Sequence, residues 1–331
     1  MTSLSYILSI DNLKTYFFTE AGVVKAVDGI SLKVEKGESH GLVGESGSGK
    51  SVTALSVLRI VPKPGKIVGG SIFFNGTDLM ALSEKEMRRF RGKKMAIVFQ
   101  DPISSLDPLY TAGRQIVEAI RANDETISKE EAQAQAIRLM EEVGIPEPDK
   151  RFYSYPHEMS GGMKQRIAIA RAIAQRPELL FADEPTTNLD VTIQAQVLDL
   201  MKDLKKSFGM SLILITHDMG IIAEMTNRVT VVYAGQVSET GNTTDIFYSP
   251  LHPYTEALLK AVPRVDKRRR LESVPGNVPN LITPPSGCRF HPRCPYAIEK
   301  CKQEVPPIED AGKGRYVACH RWRELLLVGV S

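Results

Sequence analysis

The spacing of apolar and polar residues changes several times along the chain. Between residues 6 and 34, short apolar runs alternate with polar positions around Thr19-Glu20-Ala21-Gly22-Val23-Val24. That period of two predicts antiparallel strands joined by a hairpin. Residues 39–44, 69–76, 95–99, 177–185, 210–218 and 228–235 are short apolar runs between glycine, proline or carboxylate punctuation, and they read as further strands, several of them buried. Helical patterns separate them. One runs from about 49 to 60 and stops before Pro62; residues 113–143 are largely helical; others cover 163–175 and about 193–208. Strands alternating with helices predict an α/β fold with a mostly parallel sheet covered by helices.

From about Ser249 the texture changes. Prolines become dense, and a basic run, Lys267-Arg268-Arg269-Arg270, reads as a solvated linker. The division expected is therefore 1–248 and 249–331, in keeping with 331 residues at about 150 per domain. Apolar residues make up 42% and charged residues 24%, enough for a sizeable core. A net charge of +3 is too small to argue for a nucleic-acid partner. No apolar stretch approaches the roughly 20 residues that span a bilayer. Residues 1–11 lack the basic flank and apolar core of a signal peptide. The expectation is a cytosolic protein, free to dock on a membrane protein.

Gly44-Glu45-Ser46-Gly47-Ser48-Gly49-Lys50-Ser51 fits G-x-x-x-x-G-K-[ST], between a predicted strand and a predicted helix that continues with Val52. Such a loop wraps backbone N–H groups around phosphate oxygens, and glycine avoids Cβ clashes in the tight nest. The helix N-terminus adds positive potential. Lys50 can reach the β- and γ-phosphates, and the Ser51 hydroxyl can ligate Mg²⁺. Asp183 closes an apolar strand, where it can hold the metal's shell. Glu184 follows at the strand's mouth, where a carboxylate can polarise an attacking water. Gln100 and His217 end two other strands; they offer an amide to the metal or water and an imidazole to the γ-phosphate. Ligands bind at such carboxyl ends in parallel sheets. A second phosphate-type element, Ser160-Gly161-Gly162, leads into the helix at 163–175. One nucleotide needs one such loop, so the second addresses another phosphate or closes over the same one.

The ordered set of residues 44–51, Val98-Phe99-Gln100-Asp101-Pro102, Met159-Ser160-Gly161-Gly162-Met163-Lys164-Gln165, residues 179–190 and Ile215-Thr216-His217-Asp218 resembles the ATP-binding subunits of ABC transporters over about residues 5–245. The resemblance implies a P-loop ATPase core with an antiparallel β subdomain and a helical subdomain near 104–176. It implies that the Ser160-Gly161-Gly162 loop caps the ATP of a partner subunit, in a head-to-tail pair around two nucleotides. Gln100 matches the Q-loop, Asp183 the metal-site aspartate, Glu184 the catalytic base, Asp190 the D-loop and His217 the switch histidine. Phe17 matches the aromatic that stacks on adenine, with Tyr16 as the alternative. Asn188 stands where alanine or serine is common, Met159 replaces a leucine and Met163 a glutamine.

Residues 98–120, 249–263 and 287–301 narrow the resemblance to ATPase subunits of dipeptide, oligopeptide and nickel importers, and extend it to nearly the whole chain. It implies membrane-peripheral work at the cytoplasmic face with a second ATPase subunit (a homologue or a second copy), two permease subunits and an extracytoplasmic substrate-binding protein. Two other readings stand beside it: nickel as cargo, or a soluble ABC-type ATPase acting on nucleic acid or ribosomes. All four cysteines, Cys288, Cys294, Cys301 and Cys319, lie in the last segment, with five, six and seventeen residues between successive members. Zinc sites usually show tighter pairs, iron–sulfur ligands are spaced more loosely, and disulfides are disfavoured in a reducing cytosol. His291 and His320 can substitute in a zinc site, and Pro292 and Pro295 would fix the local loop. The resemblance implies a [4Fe–4S] cluster, with Zn²⁺ as the alternative.

Overall fold

A computed structural model describes residues 6–101, 105–122, 126–187, 189–262 and 274–330. The basic run 267–270 and Asn188 lie outside them. In chain order the strands are β1 (Tyr6–Thr19), β2 (Gly22–Glu35), β3 (Ser39–Val43), β4 (Gly65–Phe74), β5 (Thr77–Asp78), β6 (Met95–Val98), β7 (Leu179–Asp183), β8 (Ser211–Thr216), β9 (Arg228–Tyr233), β10 (Gln236–Asn242), β11 (Glu309–Gly312) and β12 (Arg315–Val317). The longer helices are α1 (Lys50–Val57), α2 (Glu84–Phe90), α3 (Ala112–Arg121), α4 (Lys129–Glu142), α5 (Gly161–Ile173), α6 (Val191–Phe208), α7 (Met219–Met225) and α8 (Pro253–Lys260). The chain divides into two compact units, residues 1–81 with 214–331, and residues 82–213.

In the first unit, β1 and β2 form the hairpin expected from the alternation and continue into an antiparallel sheet of order β2-β1-β4-β5. A second sheet runs β11-β12-β10-β9-β3. Its β3 and β9 are parallel, with Leu42 opposite Thr230, and β10, β12 and β11 follow antiparallel. The last two strands come from the cysteine-bearing segment, and Val317 pairs with Glu239. Glu239 is fully buried; its carboxylate accepts the Leu251 and His252 N–H groups and pairs with Arg315.

In the second unit β6 lies parallel to β7, with β8 on the other side of β7. β7 and β8 are buried at every position, which is why they read as unbroken apolar runs rather than alternations. The helices start on side-chain caps. Thr111, Ser128, Ser160 and Asp190 accept N–H groups from the first turns of α3, α4, α5 and α6, satisfying donors that the helix leaves unpaired. Gly209, at φ 63°, ends α6.

Several boundaries depart from the sequence reading. The helix expected to run to residue 60 ends at Val57, because Arg59 turns into the left-handed region at φ 53° and donates to the Leu79 carbonyl. The largely helical stretch expected over 113–143 is two helices, the second restarted by the Ser128 cap. The helix expected from residue 163 begins at Gly161, because Ser160 is its cap. α2 went unread, although Ser83 and Glu86 form a reciprocal capping box at its start. Phe181, central in β7, is buried. Phe181→Ala is expected to cost about 3–5 kcal/mol, read as a lower urea midpoint for loss of far-ultraviolet circular dichroism.

Candidate functional site

The loop of residues 44–51 leaves the carboxyl end of β3 and enters α1. Gly44 and Gly49 have φ of 157° and 102°. A Cβ on Gly44 would stand 2.1 Å from the Val232 carbonyl oxygen, and one on Gly49 would stand 2.2 Å from the Ala26 carbonyl oxygen. The obstacle at both is the chain's own backbone, which has no rotamer to escape into. The Ser48 carbonyl accepts the Gly235 N–H at 2.8 Å, tying the loop to the turn between β9 and β10. The Lys50 Nζ donates to the Gly44 and Glu45 carbonyls at 2.7 and 2.9 Å and meets Ser48 Oγ at 3.5 Å. Its ammonium thus lies within the curl of the loop. No acidic residue occupies the first turn of α1, so the positive end of the helix is left uncompensated there.

Of the two aromatics on β1, Tyr16 is committed elsewhere. Its hydroxyl donates to Asp28 Oδ1 at 2.6 Å, and burial followed by that bond pushes its pKa up to about 12. The Phe17 ring carries no polar group to be committed in this way and is half-buried. Its ring edge lies where a Cβ on Gly65 would come within 2.8 Å. His217 follows β8 and is exposed. Its neighbour Asp218 caps α7 by accepting the Gly220 and Ile221 N–H groups at 2.7 and 3.3 Å.

In the second unit, strand register fixes the carboxylate. Val98 of β6 pairs with Ala182 of β7, so two residues further Gln100 and Glu184 emerge side by side. The Gln100 Nε2 donates to Glu184 Oε2 at 2.8 Å, and the Thr187 hydroxyl donates to the same oxygen at 3.0 Å. Glu184 has φ 45°, a left-handed conformation rare for a side chain of this size. Asp183, one residue earlier, is buried at the strand end. Ser160 and Gly161 are exposed at the start of α5. A Cβ on Gly162 would come within 2.7 Å of Ile193 Cγ2, and one on Gly161 within 3.7 Å of Leu189. The residue-160 loop and the Asp190 loop therefore pack directly on each other, and Asp190 Oδ1 accepts the Ile193 N–H at 3.0 Å.

All four cysteines line one cavity, together with Phe290 and His252. None is in a disulfide. Burial holds each of Cys288, Cys294 and Cys319 toward the protonated thiol, Cys294 at about 11 and Cys319 at about 12. Among the described residues, no group of three His, Cys, Asp or Glu side chains is arranged to hold a metal, so the arrangement supports neither the expected [4Fe–4S] cluster nor Zn²⁺.

The ABC transporter family model matches residues 27–187, and the oligopeptide/dipeptide transporter C-terminal region matches residues 238–301. A probable peptide ABC transporter ATP-binding protein of Sinorhizobium fredii is 48% identical over 97% of this chain and 96% of its own length. This chain is an ABC transporter ATPase. Other members similar to it include the dipeptide transport ATP-binding protein DppD of Escherichia coli, 48% identical over 95% of this chain and 96% of its own length. The oligopeptide transport ATP-binding protein OppD of Bacillus subtilis is 47% identical over 96% and 89%. Among solved ABC cassettes, the dimeric post-hydrolysis structure of MJ0796 bound to ADP and phosphate superposes with a TM-score of 0.64, at 26% identity over 71% of this chain and 98% of that one.

Residues that the sequence reading did not single out also take part in this ATPase's loops. Thr187 holds Glu184. Tyr254 accepts the Glu45 N–H at 2.9 Å, and Arg293 pairs with the Glu45 carboxylate. The arginines in Cys288-Arg289-Phe290-His291-Pro292-Arg293-Cys294 were the available signal, but nothing local says what they face. Gly49→Ala is expected to weaken ATP affinity by more than tenfold, a loss above about 1.4 kcal/mol. Gly47→Ala, with nothing within 4 Å of its Cβ, is expected to strain the folded loop by about 1–2 kcal/mol but to weaken ATP affinity by less than about tenfold; both affinities are read by titration with a fluorescent ATP analogue.

Proposed function

We propose that this ATPase powers peptide import, as one of two nucleotide-hydrolysing subunits at the cytoplasmic face of a membrane permease pair. The observation that carries the hydrolytic part is Glu184, placed at the end of a buried parallel strand and fixed by hydrogen bonds from Gln100 and Thr187. A carboxylate so held is aimed before the nucleotide arrives, which is the condition for an efficient base toward water. The backbone of residues 44–51 holds the phosphates, with Val52 continuing the helix, and Lys50 stabilises charge developing on the γ-phosphoryl group. Ser51, Gln100 and Asp183 are the residues that would hold Mg²⁺. When bound, Mg²⁺ neutralises phosphate oxygens in the transition state. His217 contacts the γ-phosphate, and Phe17 stacks on adenine, since the Tyr16 hydroxyl is occupied by Asp28.

Ser160, Gly161, Gly162 and Asp190 serve a partner's nucleotide. Their support is the exposed start of α5, whose N–H groups suit an anion, and the dimeric state of the solved cassette MJ0796. The partner is a second ATPase subunit, a homologue of this chain. An extracytoplasmic binding protein delivers the cargo. The peptide assignment rests on the match of residues 238–301 and on the names of the relatives. Residues 249–331 form the segment particular to this group.

Cys288, Cys294, Cys301 and Cys319 would hold a [4Fe–4S] cluster. The support is that all four line one cavity and that their spacing is looser than the close pairs of zinc sites. Bound there, the cluster would tie four separated points of the segment together and add a redox-active centre.

Two measurements test the reading. Glu184→Gln is expected to bind ATP, accumulate closed dimers with the partner, and lose at least about 10²-fold in turnover; unchanged steady-state hydrolysis overturns the base assignment. Anaerobic purification is expected to give a brown protein with about four irons per chain. One zinc per chain and no visible absorption would replace the cluster with the zinc alternative.

A further inference from the structure

Arg293 lies between Pro292 and Cys294 in a short 3-10 turn. It is buried, with 5% of its side chain exposed. A guanidinium carries five N–H donors, and all five are used here. The Nη1 group reaches Glu45 Oε2 at 2.7 Å and the Tyr233 hydroxyl at 3.2 Å. The Nη2 group reaches Glu45 Oε1 at 2.9 Å and the Val274 carbonyl at 3.2 Å, and Nε reaches the Pro275 carbonyl at 2.7 Å. The grip on Glu45 is the two-pronged arrangement that fixes a carboxylate in orientation as well as position.

Glu45 is the second residue of the phosphate loop and is held on its other sides too. Its N–H donates to the Tyr254 hydroxyl at 2.9 Å, and its carbonyl accepts Lys50 Nζ at 2.9 Å and the Ser48 N–H at 3.2 Å. A second arginine of the same segment supports the bed of the loop. Arg289, next to Cys288, donates to the Ala234 carbonyl and to Asp28 Oδ2. Asp28 N–H in turn donates to the Gly235 carbonyl, and Gly235 N–H donates to the Ser48 carbonyl, each at 2.8 Å. Each arginine is thus covalently adjacent to a cysteine of the shared cavity and reaches the loop directly or through one turn.

We infer that Arg293 is a positioning residue for ATP binding: it sets the phosphate loop through the Glu45 carboxylate and so makes nucleotide affinity depend on the integrity of the four-cysteine segment. The inference rests on the reading of residues 44–51 as the ATP loop, and it holds whichever metal the cysteines bind.

The test is titration of the purified full-length chain with N-methylanthraniloyl-ATP and Mg²⁺, at a temperature where circular dichroism shows each variant folded. Arg293→Met and Glu45→Gln are each expected to weaken affinity by about tenfold, because each removes the ion pair that fixes the second residue of the loop. The double variant is expected to be no weaker than either single one, and Arg293→Lys to recover part of the loss. Cys294→Ser is expected to weaken binding in the wild-type background and to add nothing in Arg293→Met. Arg323→Ala, which removes an exposed pair with Glu309, is expected to bind as wild type. A wild-type chain that does not bind takes down the loop reading and this inference with it. A wild type that binds, with Glu45→Gln binding equally well, overturns the inference alone. That variant keeps the side chain's size, so it decides the matter even if Arg293→Met fails to fold. Fully additive losses in the double variant overturn it as well.

Discussion

The phosphate loop is seated so closely on its own backbone that no side-chain carbon fits at Gly44 or Gly49. The carbonyls of Val232 and Ala26 set that limit from two strands that belong to different sheets of the same unit. Rigidity follows from it. Lys50 turns inward on the loop's carbonyls, and Ser48 is tied to the turn after β9. A loop held this way has its N–H groups oriented before a phosphate arrives, so little reorganisation is needed on binding. An added carbon would move the loop off its bed rather than merely crowd it.

In the second unit the corresponding constraint is register. Parallel pairing of β6 with β7 fixes which residues emerge together, and slipping one residue would turn Glu184 to the other face. The left-handed φ of Glu184 then bends the chain sharply off the strand end, and Thr187 N–H closes the turn on the Glu184 carbonyl at 3.2 Å. Such a conformation costs about 1–3 kcal/mol unless its surroundings impose it. Gln100 and Thr187 are those surroundings, and the same two bonds that hold the strained residue also aim its carboxylate.

What could be read from the sequence was what is local. β7 and β8 were legible because a doubly covered parallel strand is apolar at every position. The phosphate loop was legible because glycine, lysine and serine must follow one another at fixed spacing. α2 was missed although its capping box is written in Ser83 and Glu86, because only Met87 of that helix is buried and no apolar period announces it. The break before α4 was written in Ser128, but the polar helix-formers around it masked the restart. Arg293 could not have been assigned at all. Its partner Glu45 is 248 residues away, and neither residue belongs to a periodic pattern. Ion pairs between distant segments leave no trace in one sequence, whereas loops and strands do.

The pairing also explains how a carboxylate can stand inside an anion-binding loop. A carboxylate beside a bound triphosphate repels it; two like charges would repel by about 3 kcal/mol if about 5 Å apart at an effective dielectric of 20. The guanidinium of Arg293 meets both Glu45 oxygens, so the pair presents little net charge to the phosphates. Glu45 therefore works in two directions. Its backbone belongs to the loop, with its carbonyl on Lys50 and its N–H on Tyr254. Its side chain faces the cysteine segment. A neutral residue at position 45 would avoid the repulsion but leave the buried guanidinium without a counter-charge. The acid is therefore best understood as an attachment point for the C-terminal segment, and the cost of placing it beside phosphate is offset by the arginine that segment supplies.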